Sequence, residues 1–170
     1  MSAHELIHSS QTPDWYTPAP YIESARKVMG DIDLDPASCV LANTVVKATA
    51  FYSKDDGSLD RDWHGRVWIN PPYGRVGPKF IDKLLTEHHA GRVSEAIALV
   101  NGNCTDTRWF RPLWDYTLCF VHGRVKFWGQ HGKKSPTHGS IFVYLGANSE
   151  RFKTEFAQHG AVVRRYEGAA

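Results

Sequence analysis

The residues Asn70, Pro71, Pro72 and Tyr73 directly follow an apolar run at 67–69. This β-branched and aromatic run predicts a strand, and the two prolines must end it because proline has no backbone N–H and holds φ at about −65°. The rigid turn would hold the amide oxygen of Asn70 and the carbonyl of Pro71 side by side, next to the Tyr73 ring. Two acceptors and a stacking face suit a planar amino group and its ring. The alternative interpretation is a strand terminator with a buried tyrosine.

The elements that position this turn alternate along the chain. We predict strands at 32–34, 67–69, 96–100, 118–121, 141–145 and 162–166, and helices at 21–29, 35–46, 80–89, 105–114 and 151–158. This order indicates an α/β fold with a mostly parallel central sheet, an antiparallel edge strand and helices on both faces. Ligands of such sheets bind at the carboxyl ends of the strands, where Asp33, Asp35 and Asn70 are expected.

The composition is typical of one domain. The chain has 170 residues, 42% of them hydrophobic, and a mean hydropathy of −0.41. We predict a loose tail at 1–13 and one catalytic domain at 14–170, with no membrane partner. Three cysteines without Cys-x-x-Cys spacing favour reduced thiols in a cytoplasm, and the histidines and cysteines lack the spacing of a metal site.

Charge is unevenly distributed along the sequence. Residues 31–62 contain seven aspartates and three basic residues, whereas residues 116–149 contain no acidic residue and four basic ones. This pattern indicates one face for a cationic ligand and another for a polyanion. Two ordinary solvated faces are the alternative.

Several segments, taken in order with Asn70–Pro71–Pro72–Tyr73, resemble the phage-type DNA N6-adenine methyltransferases, a Dam-like family. They are Trp-Tyr-Thr-Pro at 15–18, Asp-Leu-Asp-Pro-Ala-Ser at 33–38, Asp-Gly-Ser-Leu at 56–59 with Trp63, Trp-Phe at 109–110, and Gly-Arg-Val-Lys-Phe at 123–127. The resemblance covers about 15–145. It implies the compact Rossmann-like fold of class I S-adenosylmethionine-dependent methyltransferases, encoded by a phage or prophage and acting in the bacterial cytoplasm.

The resemblance also implies a reaction and its residues. S-adenosylmethionine would donate a methyl group to N6 of an adenine flipped out of DNA, with Asn70, Pro71, Pro72 and Tyr73 as the catalytic residues. The expected donor-binding residues are Tyr16, Thr17, Pro18, Asp33, Asp35, Ala37, Ser38, Asp56, Leu59 and Asn70. The expected DNA-binding residues are Trp109, Arg124, Lys126, Phe127, Lys133 and Lys134. DNA is favoured over RNA as the partner, and no metal is expected.

Two assignments within the donor site stay open. Asp35 is the leading candidate for the ribose or ammonium group, with Asp33 as the alternative, although Asp35 could instead cap a helix before Pro36. Asp56 would bind the adenine amine of the donor, beside Leu59. Because no Gly-x-Gly lies between Asp35 and Ile69, residues 35–38 represent either a degenerate glycine loop or an acidic strand end.

The DNA-facing assignments have similar alternatives. Lys133 and Lys134 are expected in a basic loop that meets phosphates, and Arg124 would contact phosphate or guanine. Phe127 or Trp109 would form the second wall of the base pocket, or belong to the core. The chain has no room for a separate target-recognition domain, so specificity would be short, weak or supplied by a homodimer in place of a monomer.

Other functions share these features. Cytosine N4, an RNA adenine and a protein glutamine also present a planar amino group, and a catalytically silent nucleic-acid-binding module would keep the fold without the donor. The basic stretch at 116–149 favours nucleic acid over a protein substrate.

Overall fold

The computed structural model describes residues 15–129 and 136–166. The helices in these ranges are Ala19–Met29 (α1), Val40–Val46 (α2), Gly77–His89 (α3) and Ser149–Phe156 (α4). The strands are Leu34–Asp35 (β1), Ala50–Phe51 (β2), Gly65–Ile69 (β3), Val93–Asn101 (β4), Thr117–Val121 (β5), Ser140–Leu145 (β6) and Gly160–Val163 (β7). The predicted tail at 1–13 lies outside the described residues.

All seven strands form one sheet in the order β2-β1-β3-β4-β6-β5-β7. The first four are parallel to one another, whereas β6 runs antiparallel to both β4 and β5, and β7 runs antiparallel to β5. The prediction of a mixed α/β fold is confirmed. The predicted antiparallel edge strand corresponds to β7, and the structure adds a second antiparallel strand, β6, inside the sheet.

Two apolar layers cover the sheet. Val67 and Ile69 of β3 face a cluster that includes α3, whereas Trp68, between them, faces a cluster that includes α1 and α4. The side chains of β6 are buried along its whole length, as expected for a strand covered on both faces. The sheet is therefore a rigid platform, and loops at its carboxyl ends can hold side chains in fixed positions.

Three predicted elements differ from the structure. The helix predicted at 35–46 begins only at Val40, because residues 36–39 form a loop and the Cys39 sulfur caps the helix by accepting the Ala42 N–H. The segment 105–114 contains no α-helix and ends in a short 3-10 helix at Arg111–Asp115. The last strand lies at Gly160–Val163, earlier than predicted.

The longest described helix is α3, with 13 residues. None of the helices in the described ranges is long and apolar enough to cross a membrane.

Candidate active site

Asn70 directly follows β3, and one hydrogen bond fixes its amide. Its Nδ2 donates to the Trp15 carbonyl at 2.7 Å, so the amide nitrogen points at the N-terminal segment. No described residue donates a hydrogen bond to Asn70 Oδ1. The partly exposed side chain therefore presents a free acceptor, with an orientation set by its partner.

The start of α3 supports the proline turn from behind. A Cβ added at Gly77 would lie 2.6 Å from the Pro72 carbonyl oxygen, which is closer than side chains tolerate. Glycine at this position lets the helix approach the turn, and the proline that follows it favours the first helical turn.

Aromatic rings surround the turn. Tyr73 makes edge-to-face contacts with Trp15, at 6.4 Å between ring centroids, and with His138, at 5.4 Å. Burial raises the pKa of Tyr73 to about 12, so its hydroxyl stays protonated at neutral pH. Phe127 packs on Trp15 at 5.5 Å but is only 1% exposed. It therefore supports the pocket from the core and does not form its second wall.

His138 is a site residue that sequence reasoning missed. Its Nε2 is buried without a hydrogen-bond partner among the described residues. Burial and the nearby positive charge of Arg124 lower the pKa of His138, so the ring is neutral at pH 7. Nothing distinguishes His138 in the sequence from the other eight histidines, because its contact with Tyr73 depends on the fold.

Asp35 ends β1 and lies next to β3 in the sheet. It is 3% exposed, and burial raises its pKa to about 7, although the hydrogen bond from the Ala37 N–H lowers it. The Ala37 N–H donates to Asp35 Oδ1 at 3.2 Å. This carboxyl group is thus desolvated and has few partners, which is costly unless a ligand supplies more.

A chain of hydrogen bonds supports the loop after Asp35. The Ser58 hydroxyl donates to the Pro36 carbonyl at 2.5 Å, and Trp63 Nε1 donates to the Ser58 carbonyl at 2.9 Å. The Ser38 N–H also donates a hydrogen bond to the carbonyl of Tyr52, which directly follows β2. The Asp-Gly-Ser-Leu stretch and Trp63 therefore hold this loop in place.

The N-terminal segment 15–18 crosses the same end of the sheet. Tyr16 exchanges two backbone hydrogen bonds with Trp128, and Trp128 Nε1 donates to the Thr17 carbonyl at 3.1 Å. The Cys39 thiol donates to the Tyr16 hydroxyl at 3.3 Å. Thus the segment touches Asn70, the loop before α2 and the segment after β5.

The residues present fit the methyl donor that the resemblance implies. Thr17 Oγ1 and Ser38 Oγ are buried and have no hydrogen bond of normal length among the described residues. Together with the Asp35 carboxylate they offer acceptors and donors to a ligand that carries hydroxyl and ammonium groups. Ala37, in the same loop, is partly buried and packs on the core.

Asp33 is not part of this arrangement. Its carboxylate forms a bidentate salt bridge with Arg66, at 2.7 and 2.8 Å, and also accepts the Arg66 N–H. Arg66 lowers the pKa of Asp33. Arg66 lies near the start of β3, so the bonds of Asp33 among the described residues join it to β3 and not to the loop at 36–39, and its role in donor binding stays a prediction.

Asp56 lies beyond the edge strand β2. Its carboxylate accepts the N–H and hydroxyl of Ser53, each at 2.6 Å, and these bonds lower its pKa. Among described residues it borders an open cavity of about 760 Å³ shared with Tyr52 and Arg61. Leu59 packs against the core. The role of Asp56 and Leu59 in binding the donor stays a prediction.

The predicted DNA-binding residues are dispersed. Arg124 and Lys126 are exposed and border a second cavity with Pro18. Trp109 is partly buried, packs on the core and contacts Phe110 at 5.8 Å, as in the core alternative. Lys133 and Lys134 lie outside the described residues.

Within 15–129 and 136–166 no cluster of three His, Cys, Asp or Glu side chains is arranged to hold a metal ion.

Residues 6–163 match the family described as DNA N-6-adenine-methyltransferase (Dam). No curated protein matches the chain at a significant level.

Proposed function

Because the chain belongs to the DNA N-6-adenine-methyltransferase (Dam) family, we propose that it transfers a methyl group from S-adenosylmethionine to the N6 amine of adenine in DNA at Asn70–Pro71–Pro72–Tyr73. One observation carries the residue assignment. The Asn70 amide is held by its nitrogen, which leaves Oδ1 as an acceptor for an amino group.

The catalytic residues act chiefly by orienting the acceptor. Asn70 Oδ1 and the Pro71 carbonyl accept the two N6 hydrogens, which directs the nitrogen lone pair toward the methyl group of the donor. The donor supplies an electrophilic methyl group on a sulfonium. The N6–carbon bond would form as the sulfonium–methyl bond breaks, which would release S-adenosylhomocysteine. No strong base is needed beforehand, because the methylated N6 would lose its proton to solvent afterwards. Alignment and fixed dipoles therefore provide the rate enhancement.

Tyr73 forms the stacking face for the target base. The base must leave the duplex for N6 to be reached. Edge-to-face contacts with Trp15 and His138 hold the Tyr73 ring, and its protonated hydroxyl adds no charge. A ring fixed in advance loses little conformational freedom when the base binds.

Asp35, Ser38 and Thr17 hold the donor in this proposal, with Tyr16, Pro18 and Ala37 in the same two segments. The strand order β2-β1-β3 favours the degenerate-glycine-loop alternative for residues 35–38. These residues follow the strand beside β3, whereas Asp56 follows the outer strand β2, where an acidic strand end is expected. The partly parallel seven-stranded sheet is compatible with a class I methyltransferase.

The assignment of Asn70 is tested by Asn70→Ala, with Asn148→Ala at the opposite end of the sheet as a matched control. We expect Asn70→Ala to lower kcat by roughly 100-fold or more, the usual cost of one oriented polar group. Calorimetry should show unchanged donor affinity, and the control should keep both. If Asn70→Ala lost donor affinity while its rate at saturating donor survived, the acceptor role of Asn70 would be wrong.

A further inference from the structure

A second cavity lies against segment 15–18 and the segment after β5. Its volume is about 460 Å³, within the range of small-ligand sites. The lining residues that matter here are Pro18, Tyr21, Val45, Arg124, Lys126 and Trp128.

Two cations enter this cavity from one face of the segment after β5. Val125 and Phe127 are buried, whereas the alternating residues Arg124 and Lys126 are exposed, as in an extended chain with one face on the core. Neither cation forms a salt bridge with a carboxylate of the described residues. The absence of acidic residues from 116–149 leaves the pair suited to a phosphate.

The remaining walls are apolar and fixed. Tyr21 is held by ring contacts with Phe142 and His159, at 5.2 and 4.7 Å between centroids, and Trp128 is held by its hydrogen bond to the Thr17 carbonyl. Pro18 and Val45 add aliphatic surface. Aromatic rings beside cations that form no salt bridge with the described residues are the combination that binds single-stranded nucleic acid without reading its sequence.

The cavity is close to the proposed acceptor site. Asn70 is bound to the carbonyl of residue 15, and Trp128 to that of residue 17. Two residues of extended chain span at most about 7 Å, so Asn70 Nδ2 and Trp128 Nε1 lie within roughly 13 Å of each other. Successive charges on one strand of B-DNA are roughly 3.4 Å apart along the helix axis, so this distance covers only the few nucleotides next to the target.

We propose that this cavity binds a nucleotide flanking the target adenine on the same strand. Its phosphodiester lies on Arg124 and Lys126, and its base or sugar packs against Tyr21 and Trp128. The inference rests on the proposed function and deepens it, because it names the part of the DNA strand that this surface holds. The interactions are with the backbone and with ring faces, so they position the strand and read no sequence.

The test compares the double variant Arg124→Gln/Lys126→Gln with the control Arg151→Gln/Arg164→Gln. The control removes two other exposed cations, one on α4 and one directly after β7. Binding of a short single-stranded DNA is measured against salt concentration. The first double variant should bind more weakly, and its log-affinity slope should become shallower by roughly 0.7 for each phosphate that is no longer neutralised. The KM for DNA should rise while donor affinity is kept, and the control pair should match the wild type.

A chemical change in the DNA identifies the phosphates involved. Neutral methylphosphonate linkages next to the target adenine should weaken wild-type binding but have little further effect on Arg124→Gln/Lys126→Gln. An unchanged salt slope, an equal effect of the methylphosphonates on both proteins, or a loss of donor affinity would overturn the inference. Because binding is read without methyl transfer, its outcome is distinguishable from a failure of the proposed reaction.

Discussion

At the scale of single residues, the hydrogen bond from Asn70 to Trp15 determines what the amide offers. An asparagine has both donors and an acceptor, and a free side chain would present either to an amino group. The Trp15 carbonyl accepts a hydrogen bond from the nitrogen, so the oxygen stays available as an acceptor. The partner lies 55 positions away in the sequence, and for this reason the sequence suggested an acceptor role for Asn70 but could not predict the hydrogen bond that orients the amide.

Asp35 allows a prediction in which the stability of the protein and its affinity for the donor change in opposite directions. Its folded pKa, raised by burial to about 7, exceeds the unfolded value of about 3.9. The free protein therefore loses stability as pH rises from about 4 to about 7, where the buried carboxyl ionises. Asp35→Asn stays neutral, so its melting temperature relative to wild type should rise across this range and level off above pH 7.

Thermal melts at pH 5 and pH 8 measure this effect, and calorimetry measures the donor. The variant should gain stability relative to wild type at pH 8 while its donor affinity falls, because an amide replaces the carboxylate acceptor. A melting difference independent of pH would show that Asp35 is not desolvated. Unchanged donor affinity would remove it from the donor site.

At the scale of elements, hydrophobic pattern predicted most of the sheet and helices. The continuous apolar runs at 96–100 and 141–145 lie in β4 and β6. A strand that is covered on both faces is apolar at every position, so such a run predicts it. The strand Ala50–Phe51 was missed because two residues carry no periodicity. The helix predicted at 105–114 fails physically since Pro112 has no N–H and the Thr107 hydroxyl binds the Cys104 carbonyl.

The junction between α3 and the proline turn gives a second prediction. In Gly77→Ala the new Cβ would meet the Pro72 carbonyl oxygen at 2.6 Å, so the helix and the turn must move apart. We expect a loss of roughly 1–3 kcal/mol in the free energy of unfolding, as for other overpacked sites. Denaturant unfolding measures this loss.

Methyl transfer by Gly77→Ala should also fall at temperatures where the variant is fully folded, because Asn70 and Tyr73 flank the displaced turn. Donor affinity should be kept. Wild-type stability together with wild-type rates would show that the close approach of α3 has no role in positioning the turn.

At the scale of the whole molecule, the two ends of the sheet carry different groups of polar side chains. The carboxyl ends bring together Asp35, Asn70, Tyr73 and His138, whereas the salt bridge between Asp33 and Arg66 lies toward the amino ends. Sequence reasoning predicted this division for Asn70 and Asp35, since topology alone brings the carboxyl ends of parallel strands together. It could not distinguish Asp33 from Asp35, because the distinction depends on which way each side chain faces.

The segment 15–18 is a second case in which the sequence could not predict a contact that depends on the fold. Its Thr-Pro sequence indicated a donor interaction by resemblance only. The fold shows that it also joins Asn70 to Trp128, a link between residues 70 and 128 that no local pattern contains.

The central claim is the transfer of a methyl group to adenine N6 in DNA at Asn70. The most direct measurement supplies labelled S-adenosylmethionine and unmethylated DNA or RNA to the wild type and to Asn70→Ala, then identifies the labelled nucleosides by mass. The account predicts N6-methyladenine in the wild-type DNA sample and none with Asn70→Ala. Label in N4-methylcytosine or RNA, or no label in any nucleic acid despite intact donor binding, would contradict it.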